Sequence, residues 1–271
     1  MYAKSDHAET DIPTLHAFIR RNPLGIVTTA IPSDTYPLLQ CTSIPWVLDV
    51  ERINADETTG GHLGVLRGHM ARANQQVKAM IDSVSTVPSA STDTNSNSNS
   101  SRTLGSEVMI LFNGPVDHYI TPKFYTATKP ATGKVVPTWN YTAAQVYGRA
   151  TIYFDANSAE TDAFLSRLLE DLTRQSEEGI MRFDRPWTVD DAPENYVRLL
   201  KKAIVGIEVR IDRLEGKFKV SQEKPVGDRE GVIQGLESMG TEVAMEMAST
   251  VRERGALRDE EKERAKKERP G

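Results

Sequence analysis

The chain has 271 residues, 38% apolar and 26% charged, and its 33 Lys and Arg against 38 Asp and Glu leave a net charge of −5. That mildly acidic balance gives no overall field toward nucleic acid or an anionic membrane, which argues against direct nucleic-acid binding. One cysteine, Cys41, excludes an intrachain disulfide and a cysteine-based zinc site; no apolar run is long enough to span a bilayer and no signal-peptide pattern opens the chain, so a soluble cytoplasmic protein is expected.

Ile12–Asn22 places Leu15, Phe18 and Ile19 at helical spacing behind Thr10 or Asp11 as cap. Gly25–Ile31 is a β-branched run and reads as a strand. Leu38–Val50 reads as another, with Pro45 marking a bulge or an edge and Cys41 an inert buried residue in mid-strand. His62–Leu66 is a third strand. Ser83–Ser106 holds 9 Ser, 4 Thr and 3 Asn among its 24 residues. So polar a stretch buries too little to offset its ordering entropy, so it reads as a flexible surface insert. Val108–Phe112, His118–Ile120, Ala143–Ile152 and Ala203–Ile211 are further strands, and Lys217–Ser221 follows a turn at Glu215-Gly216. Ser158–Glu178 and Ala192–Ala203 read as helices, the first with Phe164, Leu165, Leu168, Leu169 and Leu172 on one face. Thr241–Arg254 is helical in pattern around Val243, Met245, Met247 and Val251. From Val251 onward 8 basic and 6 acidic residues intersperse, the mark of a solvated helix or frayed end. Short antiparallel strands with peripheral helices predict a closed barrel in an α+β protein: residues 1–236 as the barrel domain with insert 83–106, and 237–271 as a charged helical tail.

No glycine-rich nucleotide loop, Gly-x-Ser-x-Gly elbow or His-Glu-x-x-His zinc helix is present. His7, His16 and His118 have no partners at metal-ligand spacing, so no metal site is expected. Asn99-Ser100-Ser101 and Asn140-Tyr141-Thr142 fit the glycosylation sequon as chance matches. Arg67–Gln76 follows a predicted strand and opens into a short helix. Within it His69, Arg72 and Asn74 lie inside a turn and a half, and helix-start N–H groups beside an arginine fork suit a phosphate. The alternative is a solvated helix capped by His69. In Val136–Tyr141, Trp139 and Tyr141 beside Thr138 and Asn140 could stack on a planar ring and hydrogen-bond its edge; the alternative is an aromatic cluster at a barrel rim. Gly216–Gln222 is a strand with alternating lysines, a pattern that also serves to block edge aggregation.

The ordered set Met1-Tyr2, Phe18–Pro23, Gly68–Gln75, Phe112–Pro115, Tyr119–Pro122, Val136–Tyr141, Ala203–Glu208 and Lys217–Gln222 resembles the PaiB-type family, often called FMN-binding negative transcriptional regulators. The resemblance spans residues 1–236 apart from the insert. It implies an FMN-binding split β-barrel, Greek-key and mainly antiparallel, whose subunits pair as a homodimer with flavin in clefts at the interface. It also implies His69, Arg72 and Asn74 for the phosphate end, and Thr138, Trp139, Asn140, Lys219, Ser221 and Gln222 for the ribityl and ring region. This chain departs from the family at Ser221-Gln222-Glu223-Lys224, where the family's closing segment ends in Asn-Arg; lysine loses the bidentate fork. The function implied is an FMN-dependent oxidoreductase or flavin-dependent regulator acting on an unidentified small molecule. The alternatives are a haem-binding or haem-degrading protein with His69 or His118 as axial ligand, a cofactor-free biosynthetic enzyme reusing the pocket, and a transcriptional regulator acting through partners.

Overall fold

The structure, a computed structural model, describes residues 1–50, 63–85 and 101–267, without the side chains at 101, 102 and 265. The strands among the described residues are β1 Ala8–Glu9, β2 Leu24–Ala30, β3 Leu39–Pro45, β4 Val47–Asp49, β5 Val65–Ala71, β6 Ser101–Asn113, β7 His118–Ile120, β8 Thr138–Tyr153 and β9 Ile204–Lys219. The helices are α1 Ile12–Arg21, α2 Gln75–Ser85, α3 Thr128–Thr132, α4 Ala159–Arg174, α5 Glu194–Lys202, α6 Val226–Glu237 and α7 Glu242–Lys267. The sheet order is β3-β2-β6-β8-β9-β5-β4, with β1 on β9 and β7 on β8. The registers β1–β9, β2–β3, β2–β6, β4–β5, β5–β9 and β7–β8 are all antiparallel. The fold is α+β. Among the described residues no helix is long and apolar enough to cross a membrane.

The chain forms two compact units. The first comprises Met1–Asp11, Asn113–Ala144 and Glu215–Gly271, and the second Ile12–Phe112 and Gln145–Leu214. In the second unit α1 buries Leu15, Phe18 and Ile19, as its spacing dictates. Along β2 burial alternates, with Gly25, Val27 and Thr29 inside. α4 starts where Ser158 accepts from the Glu160 N–H at 3.2 Å, and it lays Phe164, Leu165 and Leu168 against Val47. Its last turn widens into a π-helical segment, Gln175–Ile180, which completes the helix expected over 158–178.

In the first unit α6 and α7 build a core with Ile120, Tyr125 and Val220, contributing Val232, Ile233, Leu236, Ala244, Met247, Ala248 and Val251. Ala244, Met247, Ala248 and Val251 of the expected tail are therefore packed into a core. Of the four large apolar residues in this helical pattern, Met247 and Val251 are buried, whereas Val243 and Met245 are exposed. The buried stripe runs 244, 247, 248, 251, and two of its members are alanines that a search for large side chains overlooks. α6 was not expected at all. Gly231 and Gly235 lower its intrinsic helix propensity, yet both are needed: a Cβ would fall 2.1 Å from the Phe124 carbonyl oxygen at Gly231 and 2.3 Å from the Phe124 ring at Gly235.

Other expectations also change. Cys41 is exposed, because β3 ends the strand order and turns alternate side chains outward. No turn forms at Glu215-Gly216; β9 runs through it, paired with β1 at Ala8–Lys217 and Glu9–Gly216. The strand expected at 62–66 starts at Val65 and continues to Ala71, and the one expected to begin at Ala143 begins at Thr138. The insert's two ends lie in α2 and β6, and its middle, 86–100, with the sequon at Asn99, lies outside the described residues. Asn140, in the other sequon, is 0% exposed and out of reach of a glycosyl transferase.

Candidate functional site

Nine residues carry the binding expectation, and they divide between the units. His69, Arg72 and Asn74 belong to the second. His69 lies on strand β5 opposite Gly206 and not on a helix; α2 begins only at Gln75. The Asn74 side chain caps that helix, accepting from the Gln76 N–H at 2.8 Å and donating to the Thr42 hydroxyl at 3.1 Å. The Arg72 guanidinium donates to three backbone carbonyls: Lys202 at 3.1 Å, Phe154 at 2.7 Å and Ile204 at 3.3 Å. The fork expected to meet a phosphate therefore clamps backbone. His69 has a buried Nδ1 without a partner, and burial pushes its pKa down, so the ring is neutral. A neutral imidazole is a weak partner for a phosphate dianion.

The other six lie in the first unit, where the chain brings them together. Strand alternation sorts them. On β8, Trp139 and Asn140 point to opposite faces: the indole is 54% exposed and the amide 0%. One planar ring cannot meet both, so the stacking and edge-bonding roles do not converge on one face. Lys219 Nζ donates to the Trp139 carbonyl at 2.6 Å and to the Thr138 hydroxyl. Ser221 Oγ donates to Asn140 Oδ1 at 3.0 Å, which leaves Asn140 Nδ2 buried with no partner among the described residues. Turning the amide over exchanges the roles and still leaves one atom unpaired, because Ser221 can satisfy only one of them. Ser221 also holds φ at +63°, a left-handed conformation that costs a non-glycine residue about 1 kcal/mol or more. Gln222 pins this corner: its Oε1 accepts from the Val220 N–H at 2.9 Å, and its Nε2 donates to the Asp6 carbonyl at 2.9 Å and to the Phe218 carbonyl.

The electrostatics favour an anion. Burial pushes the Lys219 pKa down, while Glu223 acts in the opposite direction. The hydrogen-bond acceptors of its ammonium are neutral oxygens, and an ammonium carries three N–H groups, so one remains beyond the two in use. Glu223 has its own neighbours, His7 Nε2 at 3.1 Å and the Lys224 ammonium at 3.5 Å. A flavin presents acceptors: phosphate oxygens, ribityl hydroxyls and ring carbonyls. A spare ammonium N–H and an unpaired buried amide are the complementary groups, so Lys219, Asn140 and Ser221 fit such a ligand, whereas Arg72 and His69 do not.

A second polar cluster, not anticipated from sequence, lies in the second unit. Arg67 is 1% exposed. It donates to Asp49 at 2.5 and 3.0 Å and to Asp171 at 2.7 Å, and its pKa is raised because these contacts outweigh desolvation. Glu208 sits opposite Arg67 in the β5–β9 register. Burial pushes the Glu208 carboxyl up, against the pull of Arg67 and Arg167, and the group bonds Tyr153, whose own pKa burial drives to about 12. Tyr153 stacks on Phe164 with ring centroids 3.9 Å apart. A lone arginine inside an apolar strand was the available signal.

Comparison with known proteins places the chain in a family. Residues 1–213 match the family described as "Putative FMN-binding domain". An uncharacterized protein of Aspergillus fumigatus is 54% identical over 269 residues, covering 96% of this chain and 99% of the other. The protease synthase and sporulation protein PAI 2 of Bacillus subtilis is 28% identical over 148 residues, covering 55% of this chain and 63% of the other. A solved FAD and heme binding protein from Mycobacterium smegmatis aligns over 79% of this chain and 73% of its own, with 14% identity and a TM-score of 0.43. The family match stops before Lys219, Ser221 and Gln222, so those positions stand on the geometry alone. The match covers well over half of the chain, which therefore belongs to this putative FMN-binding domain family.

Proposed function

We propose that the chain is a flavoprotein that binds FMN and works as an oxidoreductase on a small organic substrate. The observation that carries the reading is the Lys219 ammonium, bonded to the neutral oxygens of Thr138 and Trp139 beside the unpaired amide of Asn140. A cation in contact with dipoles rather than carboxylates keeps its charge available for a phosphate. When bound, FMN supplies hydride or electron transfer, and the protein supplies orientation and electrostatics. Lys219 would hold an anionic group, Asn140 would donate to an acceptor, and Ser221 with Gln222 would fix the corner from which both act.

Titration of the purified chain with FMN, followed by quenching of flavin fluorescence, tests this. Wild type should saturate, and Lys219→Met should bind about one to two orders of magnitude more weakly, as expected for losing a charge-assisted hydrogen bond. Lys219→Arg should recover part of the loss. Equal affinity for wild type and Lys219→Met would remove the site, and no binding by wild type would remove FMN. One observation favours haem as a second reading: His69 is neutral with an unpaired ring nitrogen, the form that ligates a metal. A Soret band in freshly purified protein, lost in His69→Ala, would move the assignment there.

A further inference from the structure

The face of β8 opposite Asn140 carries a pocket of about 420 Å³ that the cofactor reading leaves unused. Trp139 and Tyr141, two apart on the strand, share its lining with Asp117, Asn113 and Thr142. The walls are fixed in advance. Tyr119 pairs with Trp139 across β7–β8 and meets the indole edge-on, with centroids 6.0 Å apart and planes at 66°. At the base, the Gly114 N–H donates to the Thr142 carbonyl at 2.8 Å, and a Cβ on Gly114 would fall 2.0 Å from Thr142 Oγ1. The strands can close at this point only with glycine there.

The lining chemistry selects a ligand. A half-exposed Trp in a recess offers a large flat face, and indole is the best cation–π partner among side chains. Lys217 lies over the Tyr141 ring at 5.5 Å, but no lysine or arginine covers the Trp139 ring among the described residues. Asp117 is the one ionisable carboxylate in the lining, and it is exposed. Its negative charge opposes a phosphate and attracts a cation. We infer that this pocket is a second ligand site, taking a planar aromatic cation stacked on Trp139 with its charge toward Asp117. The inference does not depend on flavin binding.

The test uses three molecules of one shape and different charge: 1-methylnicotinamide as cation, nicotinamide as neutral ring and nicotinate as anion. Calorimetric titration of the full chain, free of FMN, should show saturable binding of the cation, about tenfold tighter than nicotinamide, and none of nicotinate. Asp117→Asn should bring the cation to the affinity of the neutral ring, and Trp139→Ala should abolish binding. Circular dichroism of both variants should match wild type, because both side chains are exposed. No saturable binding of the cation would overturn the proposal. So would equal affinity for cation and neutral ring, or cation binding that survives Trp139→Ala. Since no flavin is present, failure here leaves the FMN titration standing, and failure of that titration leaves this result standing.

Discussion

Arg67 in the second unit is buried and Lys219 in the first is half-buried, and the surroundings of these two cations differ in kind. Arg67 in the second unit is bonded to two carboxylates, Asp49 and Asp171, with Glu208 opposite it on β9. Lys219 in the first unit is bonded to a hydroxyl and a backbone carbonyl. An arginine flanked by carboxylates has its charge balanced inside the protein and holds elements together, although its Nη1 is buried with no hydrogen-bond partner among the described residues. An ammonium held by dipoles keeps most of its field for something else. Burial of a charge is therefore no guide to function until its partners are counted by charge.

The largest effect that could break this comparison is on stability. Arg67→Met would leave Asp49, Asp171 and Glu208 without their shared cation, and removing one member of a buried charged group costs about 3–5 kcal/mol. Urea denaturation should show that loss, while the FMN affinity of the folded variant stays within about twofold. Lys219→Met should do the reverse, costing about 1 kcal/mol or less of stability and most of the FMN affinity. If Arg67→Met is as stable as wild type, the network is not the clamp that its geometry describes.

Arg72 sharpens the contrast at an intermediate size. Its three carbonyl partners lie 82 to 132 residues away in sequence, so its role is that of a long-range clamp. Arg72→Ala should cost about 1–3 kcal/mol, for hydrogen bonds from a charged donor, and change FMN affinity by less than about twofold. A large loss of FMN affinity with unchanged stability would return Arg72 to the phosphate.

What the sequence disclosed follows the range of the interactions involved. Helix α1 and strands β2 and β7 were legible because their apolar spacing and flanking residues are local. α6 was hidden by glycines whose purpose, contact with Phe124, is set by a residue more than a hundred positions away. The site was partly legible. Thr138, Trp139, Asn140, Lys219, Ser221 and Gln222 do assemble in one unit. Their division between two faces is not legible locally, because the apolar run starts only at Ala143; the strand itself starts at Thr138, which places Trp139 and Asn140 back to back. The partners of Arg72 and Arg67 could not be read, since no local pattern specifies a contact across the fold.

The smallest effects compare two tyrosines. Tyr153 in the second unit has its hydroxyl bonded to Glu208, whereas the Tyr125 hydroxyl in the first unit is buried with no partner among the described residues. Burial raises both pKa values, that of Tyr153 to about 12 from 10.0 and that of Tyr125 by an amount to which Glu223 and Asp228 add. A raised folded-state pKa contributes stability that is complete below the unfolded value and is lost as pH rises through the folded one. Stability should therefore fall from about pH 10 toward 12, and Tyr153→Phe should remove part of that fall. At neutral pH the two substitutions should part. Tyr153→Phe gives up a hydrogen bond and should cost about 1 kcal/mol, while Tyr125→Phe removes an unpaired buried hydroxyl and should be neutral or slightly stabilising. Urea midpoints at neutral pH and at about pH 11 measure both. Equal destabilisation by the two substitutions at neutral pH would mean that the Tyr125 hydroxyl has a partner in solution, and the contrast between answered and unanswered polar groups would then rest on the two cations alone.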